Sequence, residues 1–227
     1  MRQARVRSVF RALRELGPDL AGLQEIFLWR YYVAVRAVFS GGFHWHIPWG
    51  SAGVGVIYAD KRFKYRGKGR RRLHGKIPGV SSARDLRFVT LTDRRSGLPI
   101  AHASAHLTPS AWSRRLDSNP DLKRRTREAW LEGAAVIVKW LEDSTRNGFV
   151  AVLTLDANAD HARFCEHLPR RIAGQRVHVL SNGVDHIVLI GAWSIMRHRA
   201  IRTASDHEIY YVDAEPAAAV KLGRRAA

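Results

Sequence analysis

The segment Val152-Leu153-Thr154-Leu155-Asp156-Ala157-Asn158 is the most informative in this sequence. The apolar and β-branched run from Phe149 to Leu155 predicts a buried strand. It ends on a carboxylate and a carboxamide two residues apart, which the two-residue period of a strand points the same way. Open α/β sheets gather their chemistry at the carboxyl ends of strands. A carboxylate there can hold a metal or take a proton from water, and a carboxamide can orient a phosphoryl oxygen. Asp-x-Asn after a strand is also an ordinary turn sequence, so its meaning depends on the rest of the chain.

With 227 residues, 46% hydrophobic content and seven Trp, the sequence can fill one sizeable core. Residues 1–213 are expected to form a single domain, and the Ala-rich, basic segment 214–227 a disordered tail. No run approaches the roughly 18 apolar residues of a membrane span, and the Arg-rich start lacks the apolar block of a secretory signal. The expectation is a cytoplasmic protein without membrane contact and with no obligate protein partner evident. Cys165 is the one cysteine, which excludes disulfides within the chain and thiolate clusters, so a metal must be held by oxygen and imidazole. A net charge of +18 favours a polyanionic partner, nucleic acid first. Only seven of the 38 cationic residues are Lys, and an Arg bias of this kind also follows from genome composition.

In chain order, Val6, Val9, Phe10, Leu13 and Leu16 predict an amphipathic helix ending at Gly17-Pro18. Residues 19–24 read as a strand delivering Glu25, and 29–39 as a helix. Residues 43–49 read as a turn-rich segment whose aromatics either pack or stack on bases. Residues 53–58 form a strand, and the basic run 61–76, with Arg70, Arg71 and Arg72, a solvated hairpin or a phosphate-tracking surface. Strands at 87–93 and 99–104 form a hairpin, the second placing His102, Ser104 and His106 on one face with His106 at its end. Residues 110–118 form a loop with Trp112, Arg114 and Arg115 as candidate nucleic-acid contacts. Asn119-Pro120-Asp121 opens a long helix that stops at Asn147-Gly148. A short helix within 159–170 and strands at 176–180, 184–190, 193–201 and 208–212 follow.

Leu23-Gln24-Glu25, Gly53-Val54-Gly55-Val56, His106-Leu107, Leu155-Asp156-Ala157-Asn158, Val184-Asp185-His186-Ile187 and Ser205-Asp206-His207 resemble, in order and approximate spacing, the motifs of the endonuclease/exonuclease/phosphatase superfamily. The resemblance covers nearly all of residues 10–213. It implies the DNase I-like fold, an α/β (α+β) four-layer sandwich of two mixed β-sheets flanked by helices, with its site in a groove at one end. By that likeness Glu25 binds a divalent metal, Mg²⁺ or alternatively Mn²⁺, and Asp206 helps place it or supports His207. Asp156 orients or deprotonates the attacking water, Asn158 holds a phosphoryl oxygen, Asp185 pairs with His207, and His106 and His207 donate to the scissile phosphate.

The sequence departs from the pattern in one place. The family normally begins with a strand carrying an Asn beside the metal-binding Glu, and this sequence opens with the helix that should follow it. A truncated start, another group in place of the Asn, or impaired catalysis are the alternatives. A sheet short of a central strand would expose backbone donors and acceptors, which favours truncation or a substitute strand. Among subgroups, His106 stands where exonuclease III-like enzymes usually have Tyr, and Val184-Asp185-His186 stands where inositol polyphosphate 5-phosphatases have Cys-Asp-Arg. No export signal or lipid-facing hairpin of a sphingomyelinase is evident. With the charge, these features predict a divalent-metal-dependent phosphodiesterase, an endonuclease on DNA. The alternatives are a phosphomonoesterase or lipid phosphodiesterase of the same fold, or a catalytically impaired nucleic-acid-binding member.

Overall fold

The computed structural model describes residues 2–26, 29–47, 53–203, 205 and 207–216. Helix α1 (Arg2–Glu15) leads through Gly17-Pro18 into β1 (Leu20–Leu23), and α2 (Trp29–Phe39) into β2 (Phe43–His46) and β3 (Gly55–Ala59). Strands β4 (Phe63–His74), β5 (Arg84–Asp93) and β6 (Pro99–His106) precede the long helix α3 (Pro120–Arg146) and β7 (Val150–Asp156). Helix α4 (His161–Glu166) and strands β8 (Arg171–Ile172), β9 (Gln175–Asn182), β10 (Asp185–Ile190), β11 (Trp193–Ile201) and β12 (Ile209–Pro216) complete the order.

One sheet has seven strands in the order β4-β5-β6-β7-β10-β9-β8. Among the described residues its only parallel pair is β6 with β7, joined by α3 as a crossover, because parallel neighbours cannot be linked by a tight turn. Asn119 caps α3, its side chain accepting from Leu122 N at 3.0 Å, with Pro120 at the first turn. Trp130, Ile137 and Leu141 of α3 pack with Phe164 of α4 on Leu153 and Leu155. The opposite face meets a second layer through Val152, Ile187 and Leu189. Both faces of β7 are therefore covered, which is why its sequence is continuously apolar rather than alternating.

The second layer is a three-stranded sheet, β1-β3-β2, beside a two-stranded one, β11-β12. Val56 and Tyr58 of β3 face the seven-stranded sheet, while Ile57 joins Phe10, Val35 and Phe39 under α1 and α2. The order helix, sheet, split sheet, helix is the expected four-layer sandwich. Gly22 lets β1 approach the seven-stranded sheet, for a Cβ there would meet Thr154 Oγ1 at 1.6 Å.

Three readings are corrected. Residues 43–46 are a strand rather than a turn-rich loop, since Phe43 packs edge-on against Phe39 at 5.3 Å and the pair anchors the segment beside β3; Trp49 lies outside the described residues. The basic run is no hairpin but one twelve-residue edge strand, β4, laid along β5. Gly69 permits the close approach, as a Cβ there would meet the Phe88 ring at 2.4 Å, and the charges guard the open edge. Residues 214–216 belong to β12 rather than to a tail, and 217–227 lie outside the described residues.

Candidate active site

Three strands end or begin together at one edge of the seven-stranded sheet. The parallel pair β6 and β7 sets His106 beside Asp156, and antiparallel β10 sets its first residue, Asp185, opposite Asp156. His207, just ahead of β12, donates from Nδ1 to Asp185 Oδ2 at 2.9 Å. Asp156, Asp185 and His207 each offer one ligand atom, and these atoms lie within 4.8 Å of one another. His106 Nε2 stands 3.4 Å from Asp156 Oδ2.

Asn158 sits in the turn that follows β7. Its φ is +50°, its N–H donates to Asp156 Oδ1 at 2.9 Å, and its carboxamide Nδ2 donates to Leu107 O at 3.1 Å. The same turn is gripped from below, where Trp130 Nε1 donates to Ala157 O at 2.7 Å. Glu25 is exposed, follows β1 at φ +60°, and lines the same cavity as Asp156, Asp185 and His207. Ser104 pins that corner down, accepting from Gln24 Nε2 at 2.9 Å and donating to Leu23 O at 3.0 Å.

Burial sets the electrostatics. Asp156 is pushed up to about 6 by burial, with Asp185 and Glu25 adding to the rise against the Asn158 N–H and His207. His106 is pushed down to about 3 by burial and then by Arg84. Arg84 is the site residue that the sequence reading missed. It is only 6% exposed and donates from Nη1 to His106 Nδ1 at 2.9 Å and from Nε to Ser81 Oγ at 3.1 Å. A guanidinium only donates, so Nδ1 of His106 accepts and its proton sits on Nε2, facing Asp156. The one signal for Arg84 was its position at the start of β5, which the sequence placed at Arg87. Behind the site His186 stacks on Phe164 at 4.8 Å and donates from Nε2 to Ala159 O at 2.9 Å, supporting the loop after Asp156.

Two carboxylates and an imidazole at this spacing form a donor set that fits a divalent ion with a preference for oxygen ligands. Asp206 lies outside the described residues. Arg70, Arg71 and Arg72 are exposed on edge strand β4, three strands removed from β7, and Arg72 Nε pairs with Asp85 at 2.9 Å. The loop leaving β6 after His106 carries Trp112, Arg114 and Arg115. Arg114 and Arg115 are exposed, whereas the Trp112 ring has Arg127 and Arg163 guanidinium groups at 4.8 and 4.5 Å and meets Trp130 edge-on at 5.4 Å.

Solved structures share this architecture over most of their length. An endonuclease/exonuclease/phosphatase from Bacteroides vulgatus superposes with a TM-score of 0.73 at 14% identity, covering 94% of this chain and 91% of its own. This chain has the endonuclease/exonuclease/phosphatase fold. The fold is shared with a mannosyl-6-phosphatase from Bacteroides thetaiotaomicron (TM-score 0.68, 15% identity, 93% and 91% covered). It is shared too with D. rerio TDP2 complexed with a single-strand DNA product (TM-score 0.66, 17% identity, 92% and 90% covered). No family model matches the sequence, and none of the curated proteins matches it. In this endonuclease/exonuclease/phosphatase fold His106, Asp156, Asp185 and His207 stand side by side at one edge of the seven-stranded sheet.

Proposed function

We propose that this chain is a divalent-metal-dependent phosphodiesterase that cuts DNA as an endonuclease. The observation that carries the reading is the clustering of Asp156 of β7, Asp185 of β10 and His207 ahead of β12 within 4.8 Å, beside a buried His106. Glu25 and the Asp156–Asp185 pair, with Asp206, would hold the ion, Mg²⁺ or Mn²⁺. When bound, it would neutralise charge on the phosphoryl oxygens. Asp156 would orient or deprotonate the attacking water. Asn158 orients a phosphoryl oxygen from the turn, His106 donates from Nε2, and His207, its ring oriented by Asp185, donates to the same phosphate.

The net charge of +18, the exposed Arg70, Arg71 and Arg72, and the DNA product in the TDP2 complex support nucleic acid as substrate. The mannosyl-6-phosphatase of the same fold supports a second reading, hydrolysis of a small phosphomonoester at the same site. Salt separates them. With about three phosphates neutralised, apparent affinity for DNA falls about 40-fold between about 50 and about 200 mM salt, whereas a small ester is nearly indifferent. Cleavage of a labelled oligonucleotide and of p-nitrophenyl phosphate with Mg²⁺ or Mn²⁺ across that range makes the test. Salt-sensitive DNA cleavage supports the proposal; turnover of the small ester alone would replace it.

A further inference from the structure

Tyr65, on edge strand β4, is 46% exposed although one face of its ring is covered. Tyr58 of β3 stacks on it at 6.4 Å with 11° between the planes, and His44 of β2 stacks behind Tyr58 at 5.4 Å. Tyr65 therefore ends a ladder of three rings at the open edge of the sheet. Along β4 the register sets Tyr65, Lys68, Arg70 and Arg72 opposite Leu91, Val89, Arg87 and Asp85 of β5. Those β5 residues alternate along their strand, so their partners share one face, the face on which Val89 and Leu91 meet the second layer. Simple alternation along β4 would put Tyr65 on the other face from the three cations. The bulge between Tyr65 and Gly67 restores the phase. Arg71, opposite Leu86, belongs to the face toward α3.

The cations of this row are gathered with little to balance them. Asp85 pairs with Arg72 and Arg87, and among the described residues no acid pairs with Lys68 or Arg70. Arg70 stands directly opposite Arg87, a like-charged cross-strand pair that costs stability. His46 of β2, flanking the row, is pushed down to about 4 by burial and then by Lys68 and Arg87. Charges that only guard a sheet edge need no such crowding, and no exposed ring in phase with them. Phosphates would relieve the repulsion, and an unpaired base would cover the free face of Tyr65, whereas the bases of a duplex are already stacked on one another. From Leu91 to Asp85 the row runs about 20 Å. It points at the active site, for beyond Arg72 His74 pairs with Arg84, which is bonded to His106. We propose that Tyr65, Lys68, Arg70 and Arg72 form a track for single-stranded DNA flanking the scissile phosphate, one base stacked on Tyr65 and the backbone led along the cations toward His106. This extends the proposed DNA cleavage, on which it rests, by making the substrate single-stranded beyond the cut.

Fluorescence anisotropy with a labelled oligo-dT of about 15 nucleotides and with a duplex of the same length, in EDTA so that neither is cut, reads the track apart from catalysis. The single strand binds the more tightly. Tyr65→Ser weakens it about fivefold or more and leaves the duplex unchanged, while Tyr65→Phe, which keeps the ring, binds as the unmodified chain does. Lys68→Gln with Arg70→Gln lowers the slope of log affinity against log salt by about 1.4. Arg171→Gln with Arg176→Gln removes the same charge at the opposite edge of the sheet and leaves that slope unchanged. Equal losses from the two double variants, or single strand and duplex weakened alike by Tyr65→Ser, overturn the track. DNA bound and cut with no effect of Tyr65→Ser or of the Lys68 and Arg70 changes overturns the track alone. Failure to bind either DNA, with p-nitrophenyl phosphate still hydrolysed, overturns the proposed cleavage of DNA and the track with it.

Discussion

His106 keeps its proton on Nε2 because Arg84, which has no acceptor, occupies Nδ1 at 2.9 Å. Arg84→Gln keeps a donor and removes the charge, so the His106 pKa moves up from about 3 when followed by NMR of the ring, and turnover falls by about 100-fold. An unmoved titration would show that burial alone sets it. Asp156 behaves in the opposite sense. An acid whose folded pKa is raised from 3.8 to about 6 costs nothing when protonated, and the cost grows as pH rises through that interval. In the metal-free protein Asp156→Asn therefore gains up to about 3 kcal/mol at pH near 8, the gain fading toward pH near 4, while activity is lost. Urea unfolding at the two pH values checks this; equal stability of the two proteins throughout would mean that the carboxylate is not desolvated.

At the scale of elements, the Asp156–Asn158 turn is held by a helix from below. Trp130→Phe removes the Nε1 donor to Ala157 O and leaves a buried carbonyl unpaired, at a cost of about 1–3 kcal/mol. Urea unfolding should show that loss together with reduced turnover; unchanged stability would mean that the turn holds itself. The elements that the sequence revealed were those with strong local signals, such as α3 with its Asn119 cap and β7 with its continuous apolar run. The site was legible for a related reason: Asp156, Asp185 and His106 each stand at a strand end, where register alone aligns them. What stayed hidden depends on distant partners. Strand β2 is fixed by Phe39 and β3, β4 is a strand because β5 accepts it, and the Trp112 ring on its loop meets Arg127 and Arg163 from two helices. Arg84 was one of 31 Arg, and nothing local marks which of them is buried.

The whole molecule carries buried imidazoles beneath a strongly cationic surface. His102, held near 4, and His106, held near 3, stay neutral in the folded state while the unfolded chain protonates near 6.5. Stability is therefore lost as pH falls below 6.5 toward those values, and Asp156 opposes this between about 6 and 3.8. His102 and His106 outweigh the one carboxylate by on the order of 4 kcal/mol between pH near 7 and pH near 4, and partly buried His46, also lowered to about 4, adds to the loss. Urea midpoints at the two pH values test the sum, and a protein equally stable at both would contradict it. On the proposed function, the same cationic surface would gather DNA at the site that cuts it. The decisive experiment is nicking of supercoiled plasmid with Mg²⁺ or Mn²⁺ by this chain, by Asp156→Ala and by His207→Ala, with EDTA as control. Nicking by the unmodified chain that both substitutions and EDTA abolish is the predicted result; plasmid left intact, or cut equally by the variants, would contradict the account.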